Sequence, residues 1–238
     1  MQLFYTEQID GEQKIIHLPE EEIHHLAVLR KRVGDAIQVI DGKGNWYETT
    51  ILTLEKRHVT LQIHQIIPQT KPKFELHLAI APPKNIERME WLLEKTTEIG
   101  IDVITPLQCE RSERTVLKNE RLEKILISAC KQSLRATRPT LHPLTKFKDF
   151  LVRLDHTNQQ RYIAHCENSP KTTLLHNYKA GNNVLILIGP EGDFSPKEIL
   201  LAEEQGCLSL SLGKARLRTE TAGIVVCQTI QLLNEWEK

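Results

Sequence analysis

The sequence predicts an α/β fold in two parts: a small N-terminal β-barrel over residues 1–70 and a larger domain with a mostly parallel sheet over 73–238. Three observations carry this expectation. Residues up to Pro68 form short runs rich in β-branched side chains, separated by polar, Gly-containing turns, which is the pattern of a small barrel. Pro68-Gln-Thr-Lys-Pro72 then interrupts with two prolines and no core residue, as a boundary does. Beyond it, apolar strands alternate with helices, which implies parallel strands joined by helical crossovers.

The elements follow in order. Asp35-Ala-Ile-Gln-Val-Ile-Asp41 alternates and ends in the turn signal Gly42-Lys43-Gly44. Trp46–Leu52 and His58–His64 are further strands. Glu20 to Lys31 interrupts them with helical recurrence at Ile23, Leu26, Ala27 and Leu29. In the second part Phe74–Ala81 is a strand, Ile86–Ile99 a helix stopped by Gly100, and Ile101–Thr105 a strand. Asn119 caps a long helix carrying Leu122, Ile125, Leu126, Ala129 and Leu134. Arg161–Cys166 and Val184–Ile188 are strands. A last helix opens at Thr219 or Thr221 and marks its buried side with Ala222, Val225, Val226, Ile230, Leu233 and Trp236.

Composition narrows the class. The chain has 238 residues, 40% apolar and 26% charged, enough for a sizeable core. No apolar run approaches the roughly 20 residues that span a bilayer. Met1-Gln2-Leu3-Phe4-Tyr5 lacks the basic start and apolar stretch of a secretory signal. The five cysteines are scattered and none forms a C-x-x-C. That argues against a disulfide framework or a zinc site and for reduced thiols in a cytoplasmic protein; no ligand cluster suggests any other metal.

Net charge is zero, but it is unevenly spread. Residues 1–70 carry seven Lys/Arg and ten Asp/Glu, whereas residues 108–150 carry ten and five. A neutral chain with a basic middle can bind RNA through one face; a solvated helical face gives the same count.

Two segments carry chemistry. In Val184-Leu-Ile-Leu-Ile-Gly-Pro-Glu-Gly-Asp-Phe-Ser-Pro-Lys-Glu198 an apolar run stops at Gly189-Pro190-Glu191-Gly192. A helix then starts with Ser195 as N-cap, Pro196 at its first position and Glu198 closing a capping box. A Gly-containing loop at the carboxyl end of a parallel strand is where such sheets bind ligands. It lacks G-K-[ST] and G-x-G-x-x-G, so phosphate is not implied. A plain strand-to-helix turn is the alternative. The second segment, Leu208-Ser-Leu-Ser-Leu-Gly-Lys-Ala-Arg-Leu-Arg-Thr-Glu-Thr-Ala222, breaks at Gly213 and gathers Arg216, Arg218 and Glu220 at a helix start. A helix N-terminus favours anions; alone, the segment reads equally as a capped helix with a local salt bridge.

Together they say more. L-I-G-P-E-G with S-x-x-E-I, followed by L-G and L-R-T-E-T-A, resembles the RsmE family of SPOUT-class methyltransferases. Lys84–Gly100, Ser112-Glu113-Arg114, Ala129–Ser133 and His24–Arg30 with Gly34-Asp35 extend the resemblance over nearly the whole chain. Asp193-Phe194 departs from it, standing where many members have a glycine and an apolar residue.

The resemblance implies a PUA-like barrel, a SPOUT domain ending in a trefoil knot, and a homodimer. It implies S-adenosylmethionine as cofactor and N3 of a uridine in 16S ribosomal RNA of the small ribosomal subunit as target. Adenine would rest between Ile188-Gly189-Pro190-Glu191-Gly192 and the strand end at Leu210, Leu212 and Gly213. Leu217 would line the methionine part, Thr221 and Ala222 would complete the pocket, and His165 is a further pocket candidate. Arg218 would stabilise the uracil anion, with Arg114 as second choice and Glu220 orienting the arginine or relaying a proton. Arg30, Lys31 and Arg32 would contact RNA phosphates; an exposed helix end is their bland alternative. Competing readings are a SPOUT enzyme acting on tRNA and a non-catalytic RNA-binding ribosome assembly factor.

Overall fold

In the computed structural model, which describes residues 2–154 and 159–236, contacts divide the chain into residues 1–71 with 126–138, and residues 72–125 with 139–238. Met1 of the N-terminal run lies outside the described residues. No described helix is long and apolar enough to cross a membrane.

The first unit is built on β1 (Leu3–Tyr5), β2 (Ile9–Asp10), β3 (Ile15–His17), α1 (Glu20–Val28), β4 (Ala36–Ile40), β5 (Asn45–Leu54) and β6 (Val59–Pro68). The strands form one mixed sheet in the order β1-β4-β5-β6-β3-β2. Its path is open at β1 and β2, so the expected barrel is a half-barrel. Ile37 and Val39 alternate inward on β4 and meet Leu61 of β6 and Leu26 of α1 in one core. Each fully buried Leu or Val contributes roughly 1.5–3 kcal/mol. The end of the long basic helix joins this unit: Lys131 Nζ lies 2.6 Å from Oε1 of the buried Glu22. Helix α1 stops at Val28, short of Lys31. Arg30 takes φ 55°, and Arg30 N and Lys31 N donate back to Ala27 O and Leu26 O. That is a Schellman turn with arginine at the left-handed position.

The second unit contains β7 (Leu76–Ile80), α2 (Ile86–Ile99), β8 (Val103–Gln108), the first part of α3 (Asn119–Ser133), β9 (Thr140–Leu141), β10 (Thr145–Lys146), α4 (Phe147–Val152), β11 (Gln159–Ala164), α5 (Leu174–Asn177), β12 (Asn183–Ile188), α6 (Pro196–Glu204), β13 (Leu208–Leu210) and α7 (Thr219–Trp236). The sheet order is β10-β8-β7-β12-β11-β13, with β9 beside β8, and every pairing is parallel. Covered on both faces, β12 is a continuous apolar run from Val184 onward, and Val184 to Leu187 are fully buried. Helix α6 begins as its sequence dictates: Ser195 Oγ accepts from Glu198 N, and Glu198 Oε2 accepts from Ser195 N.

Helix α7 buries Ala222, Val226 and Ile230 as its spacing predicts. Trp236 departs from that stripe and is 89% exposed. Gln231 Nε2 already donates to Gly100 O, just past the end of α2. Trp236 lies more than a turn farther on, where α2 no longer covers it.

Candidate active site at the strand ends

The parallel register brings four residues into one row: Ile80 beside Ile188, Ile188 beside Ala164, and Ala164 beside Leu210. The chain leaves β11, β12 and β13 at this level, and their loops wall a cleft of about 740 Å³. Small-molecule sites span roughly 300–1,000 Å³.

One wall is Ile188-Gly189-Pro190-Glu191. A Cβ on Gly189 would stand 3.0 Å from both the ring and the backbone nitrogen of Phe194, which is fully buried beneath the loop. Asp193 adopts φ 64°, a conformation aspartate tolerates better than most residues, which explains how it can replace a glycine here. Its Oδ2 accepts from Cys166 N at 2.7 Å and so ties the β11 loop to the β12 loop. Glu191 Oε1 accepts from Lys84 N at 3.0 Å, which anchors the loop to the segment before α2.

The other wall runs from Leu210 through Arg218. Gly213 takes φ 113°, and a Cβ there would meet no described residue within 4 Å. Arg216 reaches to Glu191 O at 3.5 Å. Thr219 Oγ1 closes the two walls together by donating to Gly189 O at 3.1 Å.

Most residues expected in the pocket meet here. His165, Ile188, Gly189, Pro190, Glu191, Leu210, Leu212, Gly213, Leu217, Arg218 and Ala222 all line the cleft. Gly192 and Thr221 are not among the lining residues; the Gly192 carbonyl instead accepts from Arg111 Nη1 at 2.9 Å. Arg114 also stays outside, donating from Nε to Pro83 O at 3.1 Å and from Nη2 to Lys84 O. Glu220 is only 5% exposed and faces Arg88, with Oε1 3.7 Å from Arg88 Nε. Arg30, Lys31 and Arg32 belong to the first unit.

His165 is 8% exposed. Its Nε2 contacts Ser209 Oγ at 2.7 Å, and that hydroxyl donates to Glu203 Oε1 at 2.8 Å. Ser209 Oγ therefore accepts, Nε2 carries the proton, and Nδ1 is an acceptor with no partner among the described residues. Burial first, then the Lys171 charge, lowers its pKa. Arg88 and Lys171 are site residues that no local pattern announced, whereas Asp193 and Thr219 lie inside the two signature segments but are not among the residues expected in the cleft. Arg88 precedes the rest of the cleft by some 75 residues or more, and only the fold brings it in. Among the described residues, no group of three or more His, Cys, Asp or Glu could hold a metal ion.

The RNA methyltransferase domain family matches residues 69–231, and the RNA methyltransferase PUA domain family matches residues 18–63. The chain is 31% identical to ribosomal RNA small subunit methyltransferase E of Mesomycoplasma hyopneumoniae, covering 68% of this chain and 71% of that protein. This chain belongs to the ribosomal RNA small subunit methyltransferase E family. Two solved structures extend the likeness to the whole fold. A probable rRNA-methyltransferase from Porphyromonas gingivalis is 40% identical, with a TM-score of 0.92 and 100% of both chains covered. A family member from Neisseria gonorrhoeae, solved bound to S-adenosyl methionine, is 28% identical, with a TM-score of 0.87 over 98% of both chains. In this methyltransferase domain both signature segments thus face each other across one cleft.

Proposed function

We propose that this chain is an S-adenosylmethionine-dependent methyltransferase acting on N3 of a uridine in 16S ribosomal RNA of the small subunit. The observation that carries this reading is the cleft itself, walled by the two signature segments at the strand ends. The cleft suits such a cofactor. Glycine at 189 and 213 exposes backbone for close approach to a flat ring, and His165 Nδ1 is an acceptor without a partner among the described residues. Ile188, Leu210, Leu212 and Leu217 supply apolar contacts, while Pro190, Glu191, Gly192, Thr221 and Ala222 shape or support them.

When bound, S-adenosylmethionine supplies a sulfonium methyl, which passes to N3 as the C–S electron pair stays on sulfur. The protein's task is alignment and charge. The N3 proton goes to water, and the resulting charge spreads onto O2 and O4. Arg218 lines the cleft with its side chain exposed and would stabilise that anion. Arg114 holds the segment before α2, which suits a positioning role better than contact with the base.

Arg30, Lys31 and Arg32 at the end of α1 would neutralise RNA phosphates. A second copy of the chain would cover the apolar surface at Leu232 and Trp236, which are 49% and 89% exposed; light scattering at micromolar concentration tests the homodimer. The relatives are named for small-subunit ribosomal RNA, which favours that target over tRNA, and the complete cleft favours an enzyme over an assembly factor. The decisive experiment is methylation of small-subunit particles lacking the modification, followed by nucleoside mass spectrometry. N3-methyluridine is expected; its absence, or a methyl on ribose, overturns the reading.

A further inference from the structure

Arg88 lines the cleft from the first turn of α2. Its Nε lies 3.7 Å from Oε1 of Glu220 on the first turn of α7. Glu220 is 5% exposed, and its Oε2 has no hydrogen-bond partner among the described residues. A buried carboxylate is strongly unfavourable unless a cation faces it, so charge fixes where Arg88 sits. The guanidinium itself is only partly covered, and among the described residues it donates no hydrogen bond. Its donors are held in place and remain available.

The other charged groups on the cleft are largely engaged. Glu191 accepts from Lys84 N, Arg216 reaches Glu191 O, Asp193 accepts from Cys166 N, and Lys171 donates to Glu167 O. Among the arginines, Arg216 spends Nη2 on Glu191 O, whereas Arg88 and Arg218 donate no side-chain hydrogen bond to a described residue. They differ in preparation. Arg218 is exposed and its side chain has no partner among the described residues, so ordering it costs rotamer freedom. Arg88 stands on a helix with a buried carboxylate behind it, and preorganised charge is what stabilises a developing anion best.

We propose that Arg88, braced by Glu220, is a second catalytic cation that meets one carbonyl oxygen of the target uracil while Arg218 meets the other. The inference rests on the uridine-N3 reading above. A deprotonated N3 places charge on both flanking oxygens, and a single arginine serves only one flank. Arg88 neither gives nor takes a proton: the N3–H bond breaks to water, N3 bonds to the methyl carbon, and the C–S pair leaves on sulfur. Glu220 is a positioning residue, and the arginine it orients is Arg88.

The test is single-turnover methylation of unmodified small-subunit particles at saturating cofactor, across pH, with wild type, Arg88→Ala and Arg88→Lys. Arg88→Ala should lower the rate near neutrality by about 10²–10³. The rise of rate with pH should extend upward by about one unit or more, because the N3 proton becomes harder to remove. Arg88→Lys should recover part of the rate, and added guanidinium ion should partly rescue Arg88→Ala, which a structural defect would not allow. Cofactor affinity by calorimetry should not change. A folded Arg88→Ala protein with wild-type rate and pH profile overturns the proposal. So does a loss confined to cofactor affinity, which would assign Arg88 to the cofactor's carboxylate. If the wild type itself forms no N3-methyluridine, the uridine-N3 reading fails and this proposal with it.

Discussion

Thr219 Oγ1 donates to the carbonyl oxygen of Gly189 at 3.1 Å, joining residues 30 apart in sequence at the floor of one cleft. Thr219 is 6% exposed and opens α7, while Gly189 follows directly on the central strand. Thr219→Val keeps the shape but leaves a buried carbonyl unpaired, which costs about 1–3 kcal/mol. The unfolding midpoint should fall and cofactor affinity should fall with it, whereas Thr219→Ser should retain most of both. Equal midpoints and affinities for Thr219→Val and wild type would show that the bond does not organise the cleft.

Gly189 and Gly213 respond differently to a side chain. At Gly213 there is room, but φ 113° strains any L-residue. Gly213→Val should therefore stay folded by circular dichroism while calorimetry shows no cofactor binding. At Gly189 the new Cβ meets Phe194 at 3.0 Å, both ring and backbone. Gly189→Val should lose thermal stability as well as the cofactor. Near-normal affinity in folded Gly213→Val would remove the 210–218 wall from the pocket.

A half-buried histidine outside the cleft sets an acid limit. His77 Nε2 contacts Thr105 Oγ1 at 2.8 Å, and Thr105 Oγ1 contacts His142 Nδ1 at 2.8 Å. Burial first, then the neighbouring His142, lowers the His77 pKa from 6.5 to about 4. The folded protein therefore refuses a proton that the unfolded chain accepts. The stability this gives is complete above pH 6.5 and is lost as the pH falls toward 4. The loss is at most about 3 kcal/mol, at 1.36 kcal/mol per unit. Urea unfolding at neutral and mildly acid pH should show a smaller acid loss for His77→Gln than for wild type. Equal losses in the two proteins would place the acid sensitivity elsewhere.

Local rules made much of this molecule legible. The capping box at Ser195, Pro196 and Glu198 is written within four consecutive residues and forms as written. The apolar run before Gly189 declared a strand of a largely parallel sheet, and the two signature segments met in one cleft. What stayed hidden depends on distant partners. Nothing near Arg88 indicates that Glu220 will lie beside it, because that pair spans two helices from opposite ends of the domain. Nothing in residues 126–138 says that the end of one helix will pack with the first unit. Trp236 fits the apolar period, but periodicity does not show where the neighbouring helix stops. The early end of α1 was missed because arginine rarely takes the left-handed position that ends it.

That arginine gives the last prediction. Arg30 stands at φ 55° in the turn that ends α1, with Arg30 N donating to Ala27 O and Lys31 N to Leu26 O. Glycine is favoured there, because other L-residues are strained by about 1–2 kcal/mol. If the position were only structural, Arg30→Gly would be a pure gain. It should raise stability by up to about 1 kcal/mol, measured by urea unfolding. RNA affinity should nevertheless fall, because a phosphate contact is removed, and the slope of log affinity against log salt should flatten by about 0.7–0.9. Arg30→Ala with Arg32→Ala should flatten it further, without altering cofactor affinity. The opposite movement of stability and RNA affinity is the signature sought. If Arg30→Gly gains stability while RNA affinity and salt slope stay at wild-type values, the end of α1 is a solvated surface. The phosphate contacts must then be sought among the basic residues of 108–150.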